Sequence, residues 1–453
     1  MKKTKKTSRL QNILREISRY PSAIFGIVVI LTLIVVAIVV VFAIPYDEAI
    51  NRWRGGEEIV GKNPRNAVPI WYNWFRKDDL VESIILKEGD EGVLVEETRT
   101  EGGTLIKTTT FSFDFQYDNF PQDIFLYFTS QFDEKQPFIT IKELMPNENE
   151  IRISNFAIGP KYTYSLIQDE KLTKKLGGIK PNIGLFILEG DPTQTTVKGT
   201  YQLIVESILF EDDSQVNVEF VMHGQAFGWA GTDHMRRDLT LPILWGIPIA
   251  LTFGLAAALG TSLLTMIFAA IGTWYGGVVD GLIQRITEVN MVIPFLPILI
   301  LVGTFYSKSI WTILGVTIAL SIFTGGIKSY RAMFTQIKES TYIEAATAYG
   351  AKDGRIIFRY LIPRILPILI PGLISAVPSF VFLEASLALL GIGDPVLPTW
   401  GKTINDAYSN AALYRGWYYW IMEPAVLLMI TGLGFASLGF SLDRIFNPRL
   451  RGM

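Results

Sequence analysis

The sequence predicts a polytopic α-helical membrane protein of six spans, with a β-rich domain inserted after the first. Three observations point there. Mean hydropathy is +0.31 with 49% hydrophobic residues, and the apolar excess is gathered into blocks rather than spread along the 453 residues. Charge is divided: residues 45–240 hold 20 Lys+Arg against 32 Asp+Glu, a net of −12, while the rest hold 21 against 11, a net of +10. The apolar period also changes, from long uncharged runs to short alternating ones between residues 92 and 222, and back again.

The first span is residues 22–44, SAIFGIVVILTLIVVAIVVVFAI, 23 positions without a charge. As a helix they extend roughly 34 Å, enough for a hydrocarbon core of about 30 Å. The run exceeds the apolar stretch of about 7–15 residues in a cleaved signal peptide, and no A-x-A site follows, so it reads as a retained span. Before it, residues 1–21 carry seven basic residues and one acid. The positive-inside rule puts this tail in the cytoplasm and residues 45–240 outside the cell membrane.

Residues 45–238 read as an extracytoplasmic insert of short strands. Candidates are 92–98, 103–117, 123–132, 138–144, 150–156, 184–190, 200–210 and 215–222, with a turn at Arg99–Gly102 and a helix over 163–176. Many short strands between turn signals point to a sandwich or jelly roll. From residue 239 the apolar blocks return, with spans near 243–272, 282–304, 308–327, 365–391 and 420–441. Six spans bring the C-terminus back to the cytoplasm. The 328–364 connection, with seven Lys/Arg against three acids, falls on that side too. Pro294, Pro297, Pro371 and Pro378 interrupt spans, which requires neighbouring helices to re-satisfy the backbone.

Several chemistries are excluded. There is no cysteine, hence no disulfide, thiolate metal site or cysteine nucleophile, and only two histidines, His223 and His234. GEEIVGKN (56–63) approaches a phosphate-binding loop, but Asn63 replaces its Ser/Thr and no strand precedes it. The chain therefore carries no nucleotide site of its own, no recognisable nucleophile–base pair and no nucleic-acid surface. It reads as a non-enzyme.

The polar stretch EAATAYGAKDGRIIFRYLIP (344–363) is set between two apolar blocks. Thr341 and Glu344 have capping-box spacing, Ala345, Ala346 and Ala348 favour helix, and Gly350 is placed to end it in a left-handed turn. Asp353 is placed to cap a second helix that runs into Pro363 and the next span. The result is a short helix on the cytoplasmic side with a small-residue face. On spacing alone it is either a capped linker or a docking element.

E-A-A-x-x-x-G followed after nine residues by a pattern close to I-x-L-P resembles the signature of ABC importer permeases. Glu344, Ala345, Ala346, Gly350 and Pro363 match it, while Tyr360 and Ile362 depart. GTDHMRRD (231–238) is similar to the G-T-D-x-x-G-R-D of dipeptide and oligopeptide permeases, with Arg236 in the glycine position. EASLALLGIGDPVLPTWGKTINDA (384–407) and FSLDRIFNPRLR (440–451) resemble that dipeptide/oligopeptide/nickel importer family further. The resemblance covers about residues 231–451 and implies a type I ABC importer permease fold. It also implies that 341–363 is a coupling helix seated on an ATPase. The expected partners are a homologous second permease, two ABC ATPases holding ATP and Mg²⁺, a solute-binding protein and the lipid bilayer. The 45–230 insert has no counterpart in the resemblance; a docking platform for the binding protein, a lid and a brace all remain open for it, and its acidity either attracts a basic partner surface or only keeps it soluble. Dipeptides, oligopeptides, nickel and sugars all remain open as solutes.

Glu288 and Glu384 are the acids within spans. Each is either part of a solute path or a structural group: Glu288 paired with Arg285 on its helix face, Glu384 hydrogen-bonded across a helix interface. If they relay protons, the chain is a proton-coupled secondary transporter. A membrane receptor or anchor is the third class.

Overall fold

The computed structural model describes residues 20–56, 61–100, 104–188, 190 and 193–446. The basic tail before Tyr20, part of the glycine–lysine decoy, the end of the expected turn at Gly102 and the tail after Phe446 lie outside them. The chain divides into two compact units, Gly55–Thr240 and the remainder.

Among the described residues, the Gly55–Thr240 unit has nine strands: β1 (Ile84–Lys87), β2 (Val93–Arg99), β3 (Leu105–Phe115), β4 (Asp123–Gln131), β5 (Phe138–Leu144), β6 (Glu150–Ala157), β7 (Lys161–Ser165), β8 (Gly199–Leu209) and β9 (Gln215–His223). All pairs are antiparallel, in one sheet of order β1-β9-β4-β7 and another of order β2-β3-β8-β5-β6. Alternate residues of both sheets feed one core. Phe111 and Phe113 of β3 meet Phe220 of β9 at centroid distances of 5.8 and 5.2 Å.

Two expectations fail here. The 163–176 helix is instead β7 followed by a short helix at Glu170–Lys175. Tyr162 and Tyr164 are strand formers paired with β4, and Asp169 accepts from the Lys171 and Leu172 amides, so the helix starts only after it. The 184–190 strand is absent among the described residues: Ile187 makes a single bridge to Thr196 after a helical turn at Pro181–Gly184.

In the other unit, α1 spans Pro21–Ala43 and α2 Tyr46–Arg54. Ala49 and Trp53 of α2 pack with Val40, Leu241 and Trp245, so α2 belongs with the membrane helices and the insert starts later than residue 45. With α3 (Glu170–Lys175) and α4 (Pro181–Gly184) in the insert, the numbering continues at α5 (Thr240–Tyr275), α6 (Gly277–Val292), α7 (Phe295–Phe305), α8 (Ile310–Ile322) and α9 (Gly325–Lys338). Next come α10 (Thr341–Ala348), α11 (Asp353–Ile356), α12 (Ile362–Leu387), α13 (Trp400–Ser409), α14 (Ala412–Arg415) and α15 (Tyr419–Phe446).

Among the described residues four helical runs, at Pro21–Ala43, Thr240–Tyr275, Asp353–Ile392 and Tyr419–Ile445, are long and apolar enough to cross a membrane. The expected third and fourth spans are bent pairs: α6 and α7 meet at 78°, α8 and α9 at 48°. Pro294 lacks the amide that would continue α6, and Phe323–Thr324 followed by two glycines breaks the second pair. Small residues bring α1 against α15. A Cβ on Gly26 would lie 2.6 Å from the Gly434 carbonyl oxygen, and Ser22 Oγ is 2.9 Å from Ser441 Oγ.

Candidate functional site

The last turn of α5 holds residues on both sides of α10. Lys338, the final residue of α9, donates from Nζ to the carbonyls of Thr273 (3.0 Å) and Trp274 (2.9 Å). These are acceptors at a helix C-terminus, where a cation is favoured. Beyond α10, the Trp274 indole Nε1 donates to Asp353 Oδ1 at 3.0 Å. Between those anchors stands α10, with Ile343 as its one buried residue.

The local caps differ from the sequence expectation. Ser340, not Thr341, precedes the first turn of α10, and its hydroxyl donates back to the Ile337 carbonyl instead of accepting from the helix. No capping box forms. The Glu344 carboxylate, released from that duty, is exposed and has no partner among the described residues. Asp353 likewise is the first residue of α11 rather than its cap, because its carboxylate is taken by Trp274. Gly350 does end α10 in a left-handed turn, at φ +77°. Its amide donates to Thr347 O and that of Ala351 to Ala346 O, the paired bonds of a Schellman motif.

Tyr342, Ala345, Ala346 and Tyr349 fall at helical spacing on one face, with two small residues between two exposed tyrosines. Beyond α11 the backbone widens into a π-helical turn at Ile357–Leu361, and the Ile362 amide reaches back to Ile357 O. That turn precedes Pro363, which has no amide and would crowd the carbonyl four residues earlier. The wider turn lets the helix run on into α12.

The two acids expected within spans, Glu288 and Glu384, sit in different surroundings. Glu288 is 3.3 Å from Arg285 one turn back, and both side chains are exposed. Glu384 is buried on α12, and nearby the Thr399 hydroxyl accepts the Lys402 amide at 3.2 Å at the start of α13. The helices are close there: a Cβ on Gly401 would lie 2.6 Å from Ala385 Cα.

Sequence reasoning missed Asn290, Trp274 and Lys338, since one amide, indole or ammonium carries no pattern. Asn290 Nδ2 donates to both Leu320 O and Phe323 O at 2.8 Å, tying the broken end of α6 to the broken end of α8. Beside it lies a cavity of about 500 Å³ lined by Phe295, Leu320, Ser321, Thr324, Ser379 and Leu383.

A family model for the binding-protein-dependent transport system inner membrane component matches residues 262–452. Over 227 residues the chain is 32% identical to the oligopeptide transport system permease protein OppC of Bacillus subtilis, covering 49% of this chain and 72% of that protein. The chain belongs to this permease family. It is 30% identical to the dipeptide transport system permease protein DppC of Bacillus subtilis, over 49% of this chain and 69% of that one. With the glutathione transport system permease protein GsiD of Pectobacterium atrosepticum the identity is 27%, over 49% and 73% respectively.

Arg236 stands where the G-T-D-x-x-G-R-D pattern has glycine, and its backbone takes the conformation that glycine favours. Asp233 to Arg237 is a tight hairpin turn, with the Arg236 amide on Asp233 O and the Asp233 amide on Arg237 O. Arg236 occupies the left-handed position at φ +64°, where glycine is unstrained. The insert supplies compensating contacts. The Arg236 guanidinium lies 3.3 Å from Gly61 O, 3.4 Å from Asn63 O, 3.3 Å from His223 Nδ1 and 5.8 Å from the Phe125 ring centre. Asn63 in turn donates to the Arg236 carbonyl at 3.0 Å.

Proposed function

We propose that this permease is the membrane-spanning subunit of an ATP-driven importer for peptides or solutes of similar size, and that α10 is its contact with a separate ATPase. The observation that carries the reading is the exposed Glu344-Ala345-Ala346 helix, its carboxylate unpartnered among the described residues, rooted at both ends on Trp274. A force applied to α10 is transmitted through Lys338 to α9 and through Asp353 to α12. ATP and Mg²⁺ belong to the ATPase. Binding there shifts the permease between inward- and outward-facing states through contacts that differ in the two.

In this reading each bent pair counts as one span, giving six, with both termini cytoplasmic and the insert extracytoplasmic. The charge division supports that orientation. A second permease, two ATPases and a solute-binding protein complete the assembly. Peptide cargo is supported by the names of the relatives. The insert reads as a jelly roll with β2 added at an edge, since β1-β9-β4-β7 facing β3-β8-β5-β6 is the order of two interleaved Greek keys. Its acidic surface makes it a docking platform for the binding protein. Glu384 acts as an interhelical brace and Glu288 as a surface ion pair.

The test is co-purification of an ATPase with the chain, comparing wild type with Glu344→Ala and Gly350→Pro. The intact chain is expected to bring down an ATPase and the variants to lose it or its coupled turnover. Uptake is expected to survive collapse of the proton gradient at constant ATP. Uptake that follows the gradient, with no ATPase bound, overturns the proposal in favour of a proton-coupled carrier.

A further inference from the structure

The insert carries an aromatic surface that its own core does not use. Residues Ile70–Phe75, IWYNWF, form a 3-10 helix beside the turn at 228–230, with Ile70 N donating to Gly228 O at 3.0 Å and Trp71 Nε1 to Trp229 O at 2.9 Å. Trp71 stacks edge-on to Phe75 at 6.4 Å. Outward from this frame project Trp74, Phe75 and Trp229, which are 71%, 80% and 72% exposed. Arg76 and Lys77 follow directly, then Asp78 and Asp79, and all four are exposed. Three large aromatics facing outward together are costly in water and need an occupant.

The chain path names it. The Leu239 amide donates to Gly231 O at 3.0 Å, and Leu239 is the residue before Thr240, where α5 begins. Trp229 is two residues from Gly231, at most about 8 Å along the backbone. α5 has 36 residues and no charge. At 1.5 Å per residue it extends about 54 Å, more than the roughly 40–45 Å of a bilayer with its headgroups. An uncharged helix of that length has its ends at or beyond the headgroup layers, and the aromatic edge is tied within a few residues of one of those ends. Tryptophan and tyrosine-like rings partition to this layer, with neighbouring Lys/Arg on lipid phosphates.

We propose that Trp74, Phe75 and Trp229, with Arg76 and Lys77, form a lipid-surface anchor that seats this edge of the insert in the headgroup layer beside the start of α5. The proposal holds whichever side of the membrane the insert occupies and does not require the importer reading. It gives the insert a fixed base.

The chain lacks cysteine, so single cysteines report cleanly. Phe75→Cys and, as a control, Asp213→Cys are labelled with an environment-sensitive fluorophore in the full chain. The chain is reconstituted in vesicles of equal parts phosphatidylcholine and phosphatidylglycerol. Asp213 precedes β9, whose nine residues separate it by about 30 Å from the aromatic edge. Both sites are exposed, so neither change disturbs the core. A label at residue 75 is expected to be quenched several-fold more by headgroup spin-labelled lipid than one at residue 213, and less by aqueous iodide. Equal iodide quenching at the two sites, with no lipid quenching at 75, overturns the proposal. Shielding of residue 75 from both quenchers overturns it as well and assigns the patch to a protein partner.

Discussion

The indole nitrogen of Trp274 lies 3.0 Å from Asp353 Oδ1, while Lys338 Nζ takes the carbonyl of that same tryptophan at 2.9 Å and sits 5.5 Å from its ring centre. One residue at the end of α5 thus fixes both roots of α10. Trp274→Phe keeps an aromatic ring and removes the hydrogen bond to Asp353. A bond of this kind to a charged group contributes about 1.5–3 kcal/mol, and solvent exposure of the pair places it at or below the low end. The expected outcome is a several-fold fall in uptake per ATP hydrolysed, with the ATPase still bound. Unchanged coupling in the purified complex would show that α10 does not act through this root.

At Gly350 the backbone conformation is the determinant. With φ at +77° and open space for 4 Å around the point a Cβ would occupy, a side chain meets strain but no clash. Left-handed backbone costs an ordinary L-residue roughly 1–2 kcal/mol, and least for asparagine. Gly350→Asn is therefore expected to retain ATPase binding, while Gly350→Val loosens the turn and weakens it about tenfold. Equal behaviour of the two, measured by co-purification at limiting ATPase, would refute the role of the turn.

Asn290 holds two carbonyls at the ends of broken helices. Asn290→Leu has similar bulk and no amide. Interhelical hydrogen bonds in membranes average about 0.6 kcal/mol, so loss of two is expected to lower the thermal midpoint by only a few degrees. The larger expected effect is on uptake, because the joint links the α6–α7 and α8–α9 bends. A midpoint shift with full uptake would mark Asn290 as a brace alone.

Much of this architecture was legible in sequence for a physical reason: bilayer length, charge asymmetry and alternation are averages over many residues. The strands β2, β3, β4, β5, β6, β8 and β9 fall where alternation placed them, whereas β1 is four residues long and β7 was masked by its helix-like neighbour Glu170–Lys175. The EAA segment was visible because several positions share one spacing. Its caps were not, since whether Asp353 caps a helix or accepts from Trp274 depends on a residue 79 positions away. The size of the bends in the expected third and fourth spans was not legible, because hydropathy windows cannot distinguish a straight helix from two joined at Pro294 or at Phe323–Thr324.

Inside the insert, Glu143 follows Ile139 and Ile141 on the inward face of β5, 3% exposed, and its Oε2 has no partner among the described residues. Burial pushes its carboxyl well above the usual glutamate range. Folded, it stays protonated; unfolded, it ionises near its ordinary value. Stability is thus fully present below that ordinary value and is lost as pH rises through the raised one. Glu143→Gln is expected to flatten this alkaline loss and Glu143→Met to raise the insert's thermal midpoint at neutral pH. Chemical denaturation of the full chain followed by insert tryptophan signals at several pH values gives the check, and an unchanged slope in the Gln variant sinks the assignment.

His223 provides the opposite slope. Burial first, and the Arg236 guanidinium second, hold its imidazole down to about 4 from 6.5. The ring stays neutral when folded, so its share of stability is present above 6.5 and is lost as pH falls toward 4, about 3 kcal/mol at full extent. Arg236→Gly removes the neighbouring cation and relieves the left-handed strain at φ +64°, but also gives up the contacts to Gly61 and Asn63. The expected result is a histidine titrating higher, by NMR or by the pH dependence of unfolding, together with a loosened Asp233–Arg237 turn. Asp123, opposite His223 across β4 and β9 and itself raised to about 6 mainly by burial, titrates in the same window. The Arg236→Gly curve must therefore be compared with Arg236→Gly/Asp123→Asn, and a His223 midpoint that stays near 4 in both would show that burial alone sets it.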